Sequence, residues 1–397
     1  MSADDYVGSS RYSHEWLVLT LAEESEEFQN LRNSSDVQTV DVKEISGKSG
    51  FCSKIYLCTV RFTDGHSFEA VLKVPETGDM AAILEDTDSE HKSIDEECMA
   101  LMHQRECRFF TEFASKVDFP TPKVFECVSW TSLKDPGAIL MESLHGKFAL
   151  VDLVDGFNKH QLLSIAKDVA RFQAHFLKLE DKSWIDKCKR SMHPTVQALY
   201  VNLIDNLRKT DYEMFGPAVE KILPYVKDPD FIHHCFYSAN EAHHLPAVFV
   251  HGDLWVNNVL WKKNPDGSPA NEVAAYVDWQ LSHSGCLTTD LASALVICTD
   301  AHIRRQYTDE VLQVYYDTLK AEAGNVDFNI HHLKKLYEVN FTAQVFTLMI
   351  CIGHLPALIG HLPMDVQEAQ MEKFKVRVKL AVEDLLKIGL PKQFHKK

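Results

Sequence analysis

His251, Asp253 and Asn258 fall close together in the run Val250-His251-Gly252-Asp253-Leu254-Trp255-Val256-Asn257-Asn258, and Asp278 follows in Tyr276-Val277-Asp278-Trp279. An aspartate and an asparagine five residues apart on one loop can share a divalent cation, the asparagine through a neutral carbonyl oxygen, while the aspartate also faces an incoming hydroxyl. A second carboxylate can bridge that cation to phosphate. The set suits phosphoryl transfer, in which a protein positions the acceptor, holds magnesium with oxygen ligands and neutralises phosphate charge. On this reading Asp253 orients or accepts the acceptor's proton, Asn258 and Asp278 hold Mg2+ brought with ATP, and His251 braces the loop through its side chain.

Local patterning has to hold these residues together. Residues 247–250 are apolar and read as a buried strand entering the loop, and residues 259–261 as a strand leaving it. Asn264-Pro265-Asp266-Gly267-Ser268-Pro269 is dense in turn formers, and residues 273–277 read as a returning strand that ends at Asp278. The hairpin brings Asp253 and Asp278 to one end. The spaced triple alone is a weak signal, so the rest of the chain has to supply the other parts of the chemistry.

Upstream, residues 55–62 and 68–74 read as two strands joined by Thr63-Asp64-Gly65-His66, with the Asp-Gly pair of a hairpin turn. Lys73 lies in the second strand among Val71, Leu72 and Val74, where an ammonium needs anions, either nucleotide phosphates or a glutamate. With phosphates as its main partners, replacing Lys73 is expected to cost turnover more than folding. The glutamate is Glu106, on the amphipathic stretch 95–113, where Met99, Met102, Glu106, Phe109, Phe110 and Phe113 recur at three- and four-residue steps. Before the hairpin, Gly47-Lys48-Ser49-Gly50-Phe51-Cys52-Ser53 offers small residues, Gly47, Gly50 and Ser53, whose backbone N–H groups could approach phosphate. After it, residues 138–144 read as a strand breaking into polar residues, with Met141 and Glu142 at a hinge whose backbone could read an adenine edge.

With these parts in this order, the chain resembles the aminoglycoside phosphotransferase and choline kinase group of the protein-kinase-like fold. Within that group it is most similar to the CHK kinase-like (ecdysteroid kinase-like) family, through G-K-S-G-F-C-S-K, Q-R-E-C-R-F-F, I-L-M-E-S-L, V-H-G-D-L-W-V-N-N-V-L-W and V-D-W-Q-L-S-H-S-G-C-L-T-T-D-L-A. The resemblance spans residues 40–385. It implies ATP and Mg2+ as cofactors and transfer of phosphate to a small-molecule hydroxyl, with Asp253 as base, Asn258 and Asp278 as metal ligands, Lys73 and Glu106 as phosphate clamp, and Asp290 supporting the catalytic loop. Ser49 and Cys52 depart from the residues common in that family's phosphate loop.

The implied architecture is α+β and bilobal: an acidic leader over residues 1–40 read as a solvated helix, an N-lobe over 41–142 with an antiparallel sheet plus helix, and a mainly helical C-lobe over 143–397 carrying the catalytic β-hairpin. The 397 residues, 45% hydrophobic and 25% charged, are enough for two lobes. A formal charge of -16 speaks against nucleic acid or an anionic membrane as partner. Ten scattered cysteines without a C-x-x-C pair suggest reduced thiols and a cytoplasmic location, and the apolar run 16–22 lacks the basic start of a secretory signal. The apolar stretch 345–352 reads as a buried helix too short to span a bilayer. Adjacent histidines such as His233-His234 point apart and give no zinc spacing. For the acceptor, Trp184, Tyr237, Tyr315, Tyr316, Phe341 and Phe346 are candidates to line a pocket beside Asp253, with most of them read as core, and a bulky, largely apolar alcohol is expected over choline. The alternative is a pseudokinase, a nucleotide-binding or scaffold module without turnover. Retention of Lys73, Glu106, Asp253, Asn258 and Asp278 favours the enzyme.

Overall fold

A computed structural model describes residues 5–46, 53–76, 96–132 and 135–390. The chain divides into two compact units, Met1–Lys116 with Thr121–Lys147, and Val117–Pro120 with Phe148–Lys397.

The first unit is built on a five-stranded antiparallel sheet in the order β1-β2-β3-β5-β4, formed by Val37–Glu44 (β1), Ser53–Phe62 (β2), Ser67–Pro75 (β3), Val124–Val128 (β4) and Ala138–Glu142 (β5). The period of two along a strand sorts its side chains by face. Tyr56, Cys58, Val60 and Phe62 of β2 and Phe68, Ala70, Leu72 and Val74 of β3 turn to one face and form an apolar core. The register pairs Leu72 with Tyr56 and Lys73 with Ile55, so Lys73 turns to the opposite face. The stretch predicted to be one helix over 95–113 is helical over Glu96–Arg108 and widens into a π-turn over Phe109–Phe113. Its apolar stripe, Met99, Met102, Phe109, Phe110 and Phe113, is buried together with Glu106.

The acidic leader corrects the expectation of a solvated helix. Residues 14–34 form two helices, His14–Glu24 and Glu26–Ser34, capped by Ser13 and Ser25. Leu17, Leu21 and Phe28 are wholly buried in the sheet's core. Glu23, Glu24, Glu26 and Glu27 are the exposed complement of that apolar face. The charge run drew attention to the outer face and hid an inner one on which Trp16 and Leu31 also pack against the core.

The second unit is mainly helical. Lys159–Lys178 packs alongside Ala301–Ala323, and Thr289–Ile297 packs against Ile330–Ile359. Asn158 opens the first of these with a capping box in which Gln161 answers. Two small antiparallel pairs interrupt the helices: Val248–Val250 (β6) with His283–Gly285 (β9), and Val259–Lys263 (β7) with Pro269–Tyr276 (β8). The apolar stretch read as too short to span a bilayer belongs to the 30-residue helix Ile330–Ile359, which is long and apolar enough to do so by length and composition. Leu333, Leu336, Phe341, Phe346 and Leu348 are buried inside the unit, which accounts for its apolarity.

Candidate active site

In the first unit, β3 delivers Lys73 and the helix Glu96–Arg108 delivers Glu106. Lys73 Nζ lies 2.7 Å from Glu106 Oε2, with the two side chains 10% and 3% exposed. An ammonium and a carboxylate at this depth are tolerable only with such partners. Gly47 and Gly50 of the proposed phosphate loop lie outside the described residues, and Ser53 is the first residue of β2, in register with Pro75. Met141 and Glu142 lie inside the sheet, opposite Val71 and Ala70. Glu142 N–H donates to Lys123 O, and its Oε1 accepts from Lys123 N–H at 2.7 Å. Pairing therefore engages both residues, and the backbone leaves the sheet at Ser143, within the 141–144 stretch expected to carry the hinge.

In the second unit, β6 ends at Val250 and feeds the loop that carries His251, Asp253 and Asn258. His251 is buried. Its Nε2 lies 3.0 Å from Val277 O and its Nδ1 accepts from Asp253 N–H at 3.3 Å, an arrangement that requires the neutral imidazole with its proton on Nε2. Its ring packs 4.5 Å from that of Trp279. The brace expected of His251 is thus a link between the loop and the strand end beside Asp278. Gly252 adopts φ +78°, and a Cβ there would meet Leu281 O at 2.3 Å, so only glycine allows this approach.

Asp290, in the first turn of Thr289–Ile297, accepts from His251 N–H at 2.9 Å and Gly252 N–H at 3.0 Å. Burial pushes its carboxyl up to about 6, against the pull of those two bonds. The supporting role implied for it by resemblance therefore has a direct geometric form. Asn258 Nδ2 donates to Asp253 O at 2.9 Å and to Asp253 Oδ2 at 3.1 Å, which leaves Oδ1 as the amide's acceptor. β7 and β8 pair Val259 with Tyr276, and Val277 N–H donates to Asn258 O at 3.0 Å. Asp278 is the next residue, in the left-handed region at φ +67°, ψ +68°, with Gln280 Nε2 donating to its Oδ2 at 3.3 Å. The expected hairpin has formed, and it brings Asp253, Asn258 and Asp278 to one end.

The base of this hairpin rests on contacts that the motifs did not reveal. Tyr276 is wholly buried, stacks on Phe119 at 4.3 Å and donates its hydroxyl to Asp168 Oδ2 at 3.1 Å. Burial raises the Asp168 carboxyl, with the Tyr276 bond opposing it. Asp168 could have been suspected as a polar residue within the apolar helical pattern of 162–177. Its partner is distant in sequence and carries no spacing signal.

The aromatic residues named for the acceptor are mostly core. Trp184 packs on Phe176 and Phe249, Tyr315 bonds Gln173, Phe346 packs on Phe231, and Phe341 is buried. Tyr316 donates to Phe328 O. Tyr237 leads toward the loop: its ring meets that of His283, whose Nδ1 lies 2.8 Å from the Leu281 O that packs on Gly252.

The donor set fits magnesium. Asn258 Oδ1 and the Asp278 carboxylate are hard oxygen ligands, and among the described residues no group of three or more His, Cys, Asp or Glu is arranged to hold a metal. A cation here would complete its shell with phosphate and water oxygens, which is the usual manner of Mg2+ with nucleotides.

Two proteins of Caenorhabditis elegans are similar to this chain. The "Uncharacterized oxidoreductase dhs-27" is 26% identical over 363 residues, which is 85% of this chain but 42% of that protein. The "Uncharacterized kinase-like protein D1044.1" is 22% identical over 359 residues, 87% of this chain and 91% of that one. Among solved structures, choline kinase from Cryptosporidium parvum aligns with a TM-score of 0.55 at 12% identity, covering 96% of this chain and 98% of that one. The fold is accordingly protein-kinase-like, as the motif order predicts. The oxidoreductase name belongs to a protein of which this chain spans less than half. Among the described residues every paired strand is antiparallel, unlike the parallel sheet of dinucleotide-binding folds. The family described as "Uncharacterized oxidoreductase dhs-27" (DUF1679) matches residues 30–391, and the chain belongs to it.

Proposed function

We propose that this protein is an ATP- and Mg2+-dependent phosphotransferase that moves the γ-phosphate to a hydroxyl of a small molecule. The observation that carries this reading is the Asn258 amide tied to both the backbone and the carboxylate of Asp253, with Asp278 one residue beyond the Val277–Asn258 bond. Asn258 Oδ1 and Asp278 would hold Mg2+, which when bound neutralises phosphate charge. Asp253, fixed by Asn258 on one side and through its N–H by His251 on the other, would orient the acceptor hydroxyl and take its proton. The oxygen then bonds to phosphorus and the nucleoside diphosphate leaves with the electron pair of the broken P–O bond. Lys73, held by Glu106, would meet nucleotide phosphates.

The acceptor we favour is a bulky, largely apolar alcohol, steroid- or glucoside-like, over choline. Nucleoside diphosphate release, measured with Mg2+ and ATP across a panel of hydroxylated compounds, tests the reading. Acceptor-dependent release is expected. Nucleotide binding with no release for any acceptor would instead establish the pseudokinase alternative.

A further inference from the structure

One carbonyl away from Gly252 lies a cation to which the proposed phosphoryl transfer assigns no part. Arg190, in the loop between the helices Ser183–Lys187 and Pro194–Thr210, donates from Nη1 to Leu281 O at 3.1 Å. Leu281 O is the atom packed against Gly252, so the guanidinium stands one carbonyl away from the residue preceding Asp253. Its carbon lies 5.6 Å from the Tyr237 ring centre, in cation–π contact. The wall continues as Tyr237 to Phe236 at 5.9 Å and Phe236 to Tyr200 at 5.9 Å, with the Tyr200 hydroxyl 3.1 Å from Thr347 Oγ1. Tyr237 and Phe236 come from a π-turn, His234–Ser238, a geometry common at functional sites.

What sets Arg190 apart is its lack of a carboxylate. The other arginines of this unit, Arg171, Arg208, Arg304, Arg305 and Arg377, each pair with an acidic residue. Arg190 is half-buried, and among the described residues it has no ion pair, in a chain of formal charge -16 where carboxylates are abundant. One N–H of its five-donor fork is spent on Leu281 O, and its planar face is fixed by Tyr237. A guanidinium held in place by an aromatic ring and a carbonyl, with donors to spare, suits a planar anion.

Building on the phosphotransferase reading, we propose that Arg190 is a specificity-determining residue: the acceptor carries an anionic group, carboxylate, sulfate or phosphate, which Arg190 engages while its apolar body lies along Tyr237, Phe236 and Tyr200. A quaternary ammonium alcohol would meet a fixed positive charge at this wall and be rejected.

Three para-substituted benzyl alcohols test this: para-hydroxymethylbenzoate, its isosteric uncharged benzamide, and its bulkier trimethylammonium counterpart. Binding of each by calorimetry to the Mg-nucleotide complex is compared for the native protein, Arg190→Gln and Arg190→Lys. The native protein should prefer the benzoate. Arg190→Gln should weaken benzoate binding by about ten-fold or more, the loss expected for one hydrogen bond between charged groups, with the benzamide little affected. Arg190→Lys should keep part of the preference, and Mg-nucleotide affinity reports that each variant is folded. Absent benzoate binding, equal binding of the three, or a preference that survives Arg190→Gln overturns the assignment. Preference without nucleoside diphosphate release would sink the phosphotransferase reading and leave the anion site standing; release without preference would do the reverse.

Discussion

Lys73 and Glu106 form a 2.7 Å ion pair between opposite sides of one packing layer, strand β3 and the helix Glu96–Arg108, with both residues buried. Glu106 is a buried anion that the ammonium already has within its own unit, so phosphates are not its only partners. This revises the expectation that Lys73→Met would cost turnover more than folding. Removing the ammonium leaves a carboxylate buried without its cation, a change that typically costs about 3–5 kcal/mol. Replacing Glu106 by Leu in the same chain should recover most of that loss, because the desolvation cost then disappears with the charge. Urea unfolding of Lys73→Met and of Lys73→Met/Glu106→Leu checks this; equal stability of the native protein and the single variant would contradict it. Turnover should be lost in both.

Asp290 gives the His251–Gly252 loop a pH dependence whose sign can be worked out. Its carboxyl is raised from the usual 3.8 to about 6 by burial, against hydrogen bonds from His251 and Gly252. Between those values the folded state binds more protons than the unfolded, so this group's contribution to stability is complete at low pH, falls as pH rises to about 6 and is level above it. The fall is at most about 3 kcal/mol. Measured against Asp290→Asn, which does not titrate, the native protein's relative stability should shrink over that window. A relative stability that grows with pH would mean that the two N–H bonds outweigh burial and hold the carboxyl below its usual range.

Asp278 combines an unusual backbone with a proposed metal charge, and two substitutions separate them. Asparagine tolerates the left-handed region, whereas alanine there costs roughly 1 kcal/mol. Asp278→Asn should therefore melt near the native temperature and Asp278→Ala a few degrees below it. Both should bind Mg-ATP more weakly by calorimetry, since both lose the carboxylate. Unchanged affinity in both would move the metal site elsewhere.

The parts of the site that sequence reveals are those fixed by local chemistry. The turn formers 264–269 announce the β7–β8 hairpin, whose pairing then brings Asn258 against Val277, the residue before Asp278. The helical stripe through Met99, Met102 and Phe113 marks Glu106 as a charge in an apolar row. Contacts made across long separations leave no such trace. Tyr276 with Asp168, and Arg190 with Leu281, join segments about a hundred residues apart through one hydrogen bond each. Most of the aromatic residues of the helical unit are core, and sequence alone does not sort them, because a ring filling a core and a ring lining a pocket have the same spacing. Leu17, Leu21 and Phe28 were obscured by the glutamates between them, although their spacing is that of a helix face.

Asp253 offers the most direct test of the chemistry. Its Oδ2 and its backbone carbonyl both accept from Asn258 Nδ2, and its N–H is held by His251 Nδ1. Asp253→Asn keeps a carbonyl oxygen for the Asn258 bond and leaves both backbone bonds intact, so the loop should hold its shape. It removes the carboxylate that would receive the acceptor's proton. Turnover should fall by about 10²–10⁴-fold, the range typical for a lost general base, while Mg-ATP affinity stays within a few-fold because Asn258 and Asp278 remain. Single-turnover kinetics and calorimetry on the same preparation separate the two effects. Native-like turnover in Asp253→Asn would remove Asp253 from the proton-accepting role. Turnover and nucleotide affinity falling together would instead assign Asp253 to the metal, alongside Asn258.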